Sequence, residues 1–479
     1  LGKWRSDMKQ DPNQFVEQEA NKIERRFKPH YHISAESGWL NDPNGLVYFK
    51  GEYHVFFQHH PYSAKWGPMH WGHVKSKDLV HWERCPIALE PGNDYDKNGC
   101  FSGSAIVHED KLYLIYTGHV YTIGENEPDI FTENQNIAIS SDGVHFEKYQ
   151  GNPVIAAPPS DSAHHFRDPK VWKEDDTFYM ILGNATPDEH GRVILYQSDN
   201  LLDWEYVGVL NDTKPLGFMW ECPDFFPLDD QYVLSFSPMG LKQSGDRFAN
   251  IFQTGYMIGS YDKDEHHLQA GQFYEMDHGH DFYALQTFED DKHRRIAVAW
   301  LDMWETPFYE EADGWSGMLT LPRELSIGPD GKIWQSPVAE LENLRLEEIT
   351  HIQEHLNSKE VSLDTHQAEV LLKMGKTGNH QSIKITDQED LELSLDFDHN
   401  NNKVALIRNG QVRRTNLEIE DTIEVRVFLD SSCVEICLQG GQVAFSSRIF
   451  PVGNLKLTFE NRELTDTDCV VYQLDQVIH

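Results

Sequence analysis

Three acidic residues stand out by their neighbours: Asp42 in Trp39-Leu-Asn-Asp-Pro-Asn-Gly45, Asp168 in Phe166-Arg-Asp-Pro169, and Glu221 in Phe218-Met-Trp-Glu-Cys-Pro-Asp224. Paired carboxyl groups suit the cleavage of a glycosidic bond. One, ionised, meets the positive charge that grows at the anomeric carbon, and the other, protonated, gives its proton to the leaving oxygen. The acid needs a raised pKa, which apolar or anionic surroundings supply. Large apolar neighbours are expected to hold Glu221 neutral, and the adjacent Arg167 to keep Asp168 ionised. In the tight turn around Asp42, Asn and Gly can fix the direction of the carboxylate. Plainer readings compete: Asp42 as a turn cap, Arg167–Asp168 as a structural ion pair, and Glu221 as a buried, hydrogen-bonded glutamate.

The elements around these residues decide between the readings. Asp42-Pro-Asn-Gly, Ser102-Gly-Ser-Ala, Asp168-Pro-Lys-Val, Glu221-Cys-Pro-Asp and Asp281-Phe-Tyr-Ala start 60, 66, 53 and 60 residues apart. Each opens a strand–turn–strand pattern: Leu46–Gln58, Ala105–Thr117, Val171–Leu182, Phe225–Ser237 and Tyr283–Trp300. A second series has a similar period: Ser76-Lys-Asp-Leu-Val-His-Trp82, Ser140-Ser-Asp-Gly-Val-His-Phe146 and Ser198-Asp-Asn-Leu-Leu-Asp-Trp204 start 64 and 58 residues apart. About four strands per repeat, five times over, predicts an all-β chain with a five-bladed β-propeller. A long sandwich or mixed sheet is the alternative. If the innermost strands line one axis, equivalent positions converge at one mouth, and the three acids face one another. Trp82, Phe146 and Trp204 recur as architecture does and are read as blade packing. The expected organisation is an N-terminal helical extension over 1–30, the propeller over 31–346 and a C-terminal β-sandwich over 347–479, with an amphipathic helix over Asp11–Phe27.

Composition narrows the partners. Against 41 basic residues stand 78 acidic ones, a net charge of −37 over 479 residues. That field repels nucleic acid and anionic membrane surfaces, and no apolar run is long enough to span a bilayer. The six cysteines lack the spacing of a disulfide framework or a zinc site, which favours a reducing, cytoplasmic setting. The chain opens on Leu1 rather than Met, so secretion after removal of a signal peptide is the alternative. The pairs His59-His60, His164-His165 and His266-His267 point to opposite faces of a strand and do not chelate together. Asp94-x-Asp96-x-Asn98-Gly99 imitates the start of a calcium loop, but Ala105 stands where its last ligand belongs, so a turn is expected. No metal and no cofactor are expected.

The motifs together resemble glycoside hydrolase family 32. Trp39–Gly45, Phe101-Ser-Gly-Ser104, Phe166–Pro169, Trp220–Asp224 and Asp281–Ala284 carry the resemblance, with Leu321-Pro-Arg-Glu-Leu325 and Phe428–Glu435 beyond them. It extends over nearly the whole chain and implies a propeller joined to a sandwich. It also implies retaining hydrolysis of a β-fructofuranoside, with Asp42 as nucleophile, Glu221 as acid and then base, and Asp168 stabilising the transition state beside Arg167. Asn41, Gln58, Trp66, Phe101 and Ser102 match fructosyl-subsite positions; Tyr283 and Trp304 are implied as well, Trp304 on a looser motif. Cys433 departs from the family's usual serine, which bears on packing. The implied substrate is a small carbohydrate, sucrose or sucrose 6-phosphate, ahead of long fructans. A phosphate would need cations near the entrance, for which Lys65, His59, His60, His119 and His165 are the candidates. The competing functions are an inverting propeller glycosidase on arabinosides or xylosides and an inactive sugar-binding protein. Oligomeric state is left open.

Overall fold

Short runs of β-branched and aromatic residues between Gly, Asp and Asn turns become strands because each can bury one or both faces. The computed structural model describes residues 10–477. Five antiparallel sheets follow one another along the chain. Their first strands are Gly38–Phe49, Cys100–His108, Phe166–Glu174, Met219–Leu228 and Tyr283–Glu289. Each first strand lies against the next, and the fifth returns to the first. These five are the inner ring of a propeller, as expected. The ring is stitched where Trp315–Ser316, from the fifth sheet's long connection, pairs in parallel with Gly38 and Trp39.

The repeated Ser-x-Asp/Asn segments turn the outer edges of the first three blades. Asp78 Oδ1 accepts from the amides of Val80 (3.1 Å) and His81 (2.9 Å). Asp142 does the same for Val144 and His145, and Asn200 for Leu202 and Asp203. A side chain thus imitates a backbone turn. The aromatic residue that closes each segment packs inward: Trp82 is buried, Phe146 meets Phe56 edge-on at 5.7 Å, and Trp204 donates to the Leu201 carbonyl. The calcium-like segment is a turn built on Asp96, whose carboxylate accepts from Gly92, Asn93, Tyr116 and Lys148.

The N-terminal helix is shorter than expected. It spans Pro12–Ala20, capped by Asp11, which accepts from the Gln14 amide at 3.0 Å. Residues 1–9 of the expected extension lie outside the described residues. Past Asn21 the chain is drawn onto the fifth blade: the Glu24 amide donates to the Asp313 carbonyl, and Arg26 grips the Asp313 carboxylate at 2.8 Å. Tertiary contacts outweigh the helical pattern there.

The C-terminal domain is the expected sandwich. Two long strands, Arg345–Leu363 and Leu455–Leu474, run through both of its layers. The first half of Leu455–Leu474 pairs with His380–Thr386, and its second half with Ala368–Gly375. Val370, Leu372, Ile383, Ile385, Leu393 and Phe445 are among the buried residues between the layers.

The motifs outside the inner ring meet where propeller and sandwich join. Arg323 Nη2 donates to Glu435 at 2.6 Å and Arg323 Nη1 to Asp277 at 2.9 Å, all three side chains being buried. Glu435 also accepts from the Leu321 amide (2.7 Å) and contacts His32 (3.0 Å). Cys433 packs against His32, its sulfur 3.6 Å from both ring nitrogens. Removing Arg323 would strand two carboxylates away from water. Arg323→Met is expected to lower unfolding stability by about 3–5 kcal/mol in a urea titration. A change of less than about 1 kcal/mol would show that the cluster is worth no more than a surface pair.

Candidate active site

All five inner strands carry the same irregularity near their starts. Leu40 and Pro43 face His59 and Phe57, three residues along one strand against two along the other. The same extra residue occurs at Cys100/Gly103, Arg167/Lys170, Glu221/Asp224 and Tyr283/Gln286. A bulge re-aims the side chains on either side of it, and five in register aim theirs at one mouth of the channel. The backbone is strained at three equivalent bulge positions, where φ is positive at Asp168 (64°), Cys222 (48°) and Ala284 (57°). Non-glycine residues hold that conformation only where the surroundings enforce it.

The three acids are therefore not at equivalent positions, as the repeat phase suggested. Glu221 stands before its bulge, Asp168 first within its own and Asp42 second. The bulge still turns all three to a single cavity of about 260 Å³. Asp281 does not join them, although it heads the fifth motif. It accepts from the Arg448 amide at 2.8 Å, at the junction with the sandwich. Tyr283 occupies the ring position that corresponds to Glu221.

Asp42 is held from three sides. Ser102 Oγ donates to Oδ2 at 2.6 Å, Asn41 Nδ2 to Oδ1 at 2.9 Å, and the Cys222 thiol lies 3.5 Å from Oδ2. Burial pushes the Asp42 carboxyl up, Ser102 pulls it down, and the Glu221 charge adds to the rise. The Trp39 indole donates to Asn41 at 2.8 Å and so fixes the amide that holds Asp42. Asp168 accepts from the Cys222 amide at 2.8 Å. Cys222, next to Glu221, thus touches both aspartates.

Arg167 does not act on Asp168 as the sequence suggested. Its guanidinium reaches across to the fourth blade and donates to Glu221 Oε1 at 2.8 and 3.3 Å. It also meets Glu133 at 3.5 Å. Burial accordingly dominates at Asp168 and drives its pKa up, Arg167 opposing and Glu221 and Asp42 adding to the rise. Nor is Glu221 sheltered by Trp220. Strand neighbours point to opposite faces, and Trp220 stacks on Phe236 with ring centroids 4.1 Å apart. Glu221 instead takes a hydrogen bond from the Tyr283 hydroxyl on Oε2 and the guanidinium on Oε1.

Asn41, Gln58, Trp66, Phe101, Ser102, Arg167 and Trp304 line the cavity with the three acids; Tyr283 lies behind Glu221, outside the lining. Gln58 is spent on structure, donating to Asn44 Oδ1 at 2.8 Å and to the Cys100 carbonyl at 3.0 Å. Trp66 is exposed at the rim and meets Phe101 edge-on at 6.3 Å. Phe101 stacks on His119 at 4.2 Å.

Glu133 lines the cavity too and was not singled out from the sequence. It accepts from the Phe166 amide at 2.8 Å. Burial would raise its pKa, but Arg167 and His119 bring it down to about 2. A signal existed: Glu133-Asn-Gln-Asn136 is a run of four polar residues inside a strand, all buried. Such a run needs an internal polar network.

Of the candidate phosphate ligands, His119 and His165 line the cavity. Burial brings His165 down to about 4, helped by Arg167. His59 and His60 are buried outside the lining, and burial holds them at about 3 and 4. Lys65, beside Trp66, pairs with Glu311 at 3.1 Å, its side chain 65% exposed.

Residues 32–337 match the glycosyl hydrolases family 32 N-terminal domain, and 340–473 match the family 32 C-terminal domain. The chain belongs to glycoside hydrolase family 32. An Escherichia coli sucrose-6-phosphate hydrolase is 42% identical over 89% of this chain and 90% of its own. A raffinose invertase, also from Escherichia coli, is 41% identical over 88% and 89%. A Bombyx mori GH32 beta-fructofuranosidase, solved in complex with sucrose as a point mutant, is 37% identical over 98% of both chains, with a TM-score of 0.89. As a family 32 member the chain is a glycoside hydrolase. No helix of the described residues is long and apolar enough to cross a membrane.

Proposed function

We propose that the chain hydrolyses the β-fructofuranosyl bond of sucrose or sucrose 6-phosphate with retention, through a covalent fructosyl-enzyme intermediate. The observation that carries this reading is the unequal treatment of two acids in one small cavity. Asp42 is held by three donors on fixed elements, which suits a nucleophile. Glu221 faces the buried Asp168, whose pKa its charge helps to raise, and is touched by a hydroxyl and a guanidinium, which suits a group that gives and retakes a proton. Asp42 attacks the anomeric carbon while Glu221 protonates the departing glucosyl oxygen. Glu221 then deprotonates the water that releases fructose. Asp168 meets fructosyl hydroxyls as charge builds on the ring, and Arg167 holds Glu221 in line. Asn41, Ser102, Gln58, Phe101, Trp66 and Trp304 shape the subsite, and Tyr283 acts through Glu221.

The sucrose-6-phosphate hydrolases and the sucrose-bound Bombyx mori enzyme support the substrate class. Methanol as acceptor tests the stereochemistry. Retention gives methyl β-fructofuranoside; the α-anomer would replace the proposal by inversion, for which the two carboxyl groups stand about 6.5–9.5 Å apart rather than about 5–5.5 Å.

The glucosyl side distinguishes sucrose from its phosphate. Among the described residues lining the cavity, Arg167 is the one permanent cation, and Glu221 and Glu133 already engage it. Lys65, next to Trp66 at the rim, is a cation free to turn, since an exposed pair such as Lys65–Glu311 is worth roughly 0–1 kcal/mol. Lys65→Ala is expected to raise KM for sucrose 6-phosphate about three- to tenfold while leaving sucrose within about twofold. Equal rises for both substrates would place Lys65 outside phosphate recognition.

A further inference from the structure

The segment that brings Trp304 to the cavity leaves the fifth blade after Trp300 and reaches the edge of the first at Trp315. Three of its carboxylates are buried: Asp313, which Arg26 grips, and nearer the cavity Asp302, two residues before Trp304, and Glu310, two after Phe308. The latter two reach the same atom of the sandwich: Arg448 Nη1 lies 2.6 Å from Asp302 Oδ2 and 2.7 Å from Glu310 Oε1. Arg448 is fixed in turn, its Nε donating to the Ser432 carbonyl at 3.0 Å and its amide to Asp281 at 2.8 Å. One guanidinium from the second domain thus closes the loop at both ends.

The residues between those ends reach the reacting carboxylate through a continuous chain of contacts. Trp304 stacks on Trp39 with centroids 5.7 Å apart and an interplanar angle of 22°. Phe308 meets the same indole edge-on at 4.8 Å. The Trp39 indole donates to Asn41, and Asn41 to Asp42. From these contacts we infer that Arg448, in the sandwich, is a positioning residue for the reaction: by pinning Asp302 and Glu310 it sets Trp304 against the substrate and Trp39–Asn41 against Asp42. The sandwich then contributes to turnover without touching the sugar. The inference rests on the reading of the cavity as a fructosyl subsite.

The charge balance agrees with a pin rather than a neutral packing contact. Two carboxylates share one cation, and Glu310 Oε2 is buried without a partner among the described residues. Loss of the guanidinium leaves both acids buried without a counter-ion, each keeping one backbone amide, so the loop has reason to move.

The test compares Arg448→Met, Arg448→Lys and Trp304→Ala with the parent, singly and with Arg448→Met combined with Trp304→Ala, on protein shown to be folded by gel filtration and near-UV circular dichroism. Displacing a positioned group by about 1 Å costs up to about 100-fold, so kcat/KM for sucrose is expected to fall about 10- to 100-fold in Arg448→Met. Arg448→Lys should recover part of the loss. Once Arg448 is gone, removing Trp304 should cost less than about threefold more, because both changes act on one element. Asp302→Asn, which keeps the shape of the side chain, should show the same coupling and replaces Arg448→Met if that variant does not fold. Kinetics within about twofold of the parent, or losses that multiply with that of Trp304→Ala, would overturn the inference. A parent that cleaves no β-fructofuranoside would remove the subsite reading beneath it, and the inference with it. An active parent with indifferent Arg448 variants would remove the inference alone.

Discussion

Asp42→Ala is expected to lower kcat for sucrose by about 10⁴–10⁶-fold, the scale on which enzymes lose turnover when a nucleophile is removed. No other group can take over the attack. Asp168 is turned towards the Cys222 amide, and Glu221 is committed to Arg167 and Tyr283. Ser102 and Asn41 remain in place, so KM should change far less than kcat. Stability should not fall, and this separates the proposal from a structural role for Asp42. The side chain sits among like charges, and burial and Glu221 both raise its pKa. Deleting it relieves repulsion, so the melting temperature should stay level or rise. A drop of several degrees with activity retained would mark Asp42 as a turn cap.

Glu221→Gln should cost about 10²–10⁴-fold in kcat on sucrose, the contribution of a general acid. The loss should shrink sharply on an aryl β-fructofuranoside whose leaving phenol needs no proton. A pH signature belongs to the same variant. In the parent, the acid must be protonated, and it faces Asp168, which is pushed up by burial, against Arg167, and by Glu221 and Asp42. As pH rises that proton leaves and kcat/KM falls. In Glu221→Gln, assayed on the aryl substrate, this alkaline limb should disappear. A loss independent of the leaving group would assign the proton to another residue.

These residues were legible in the sequence because tight motifs recur with the period of a blade. The repeat located the ring, and the ring located the mouth. The orientation of individual side chains was not legible. Arg167 and Asp168 are adjacent in sequence, yet the bulge and the alternation of the strand send the guanidinium to the next blade. Trp220 was expected beside the Glu221 carboxyl and lies on the other face for the same reason. The bulge also shifted the register by one and two residues, so acids that looked equivalent are not, and Tyr283 rather than Asp281 completes the ring. Glu133 escaped notice because it sits on a third strand, outside the motif series. The helix ended early because Asp313, nearly three hundred residues away, captures Arg26. Each miss has a cause that is set in three dimensions.

The central claim is that Asp42 carries the fructosyl group while Glu221 serves it as acid and base. The direct measurement is to quench Glu221→Gln during turnover of an aryl β-fructofuranoside and map the modified peptide by mass spectrometry. That variant forms the ester but lacks the base that releases it, so one fructosyl unit is predicted on Asp42. A fructosyl unit on Asp168 or elsewhere, or full turnover with no ester at any carboxylate, would contradict the account.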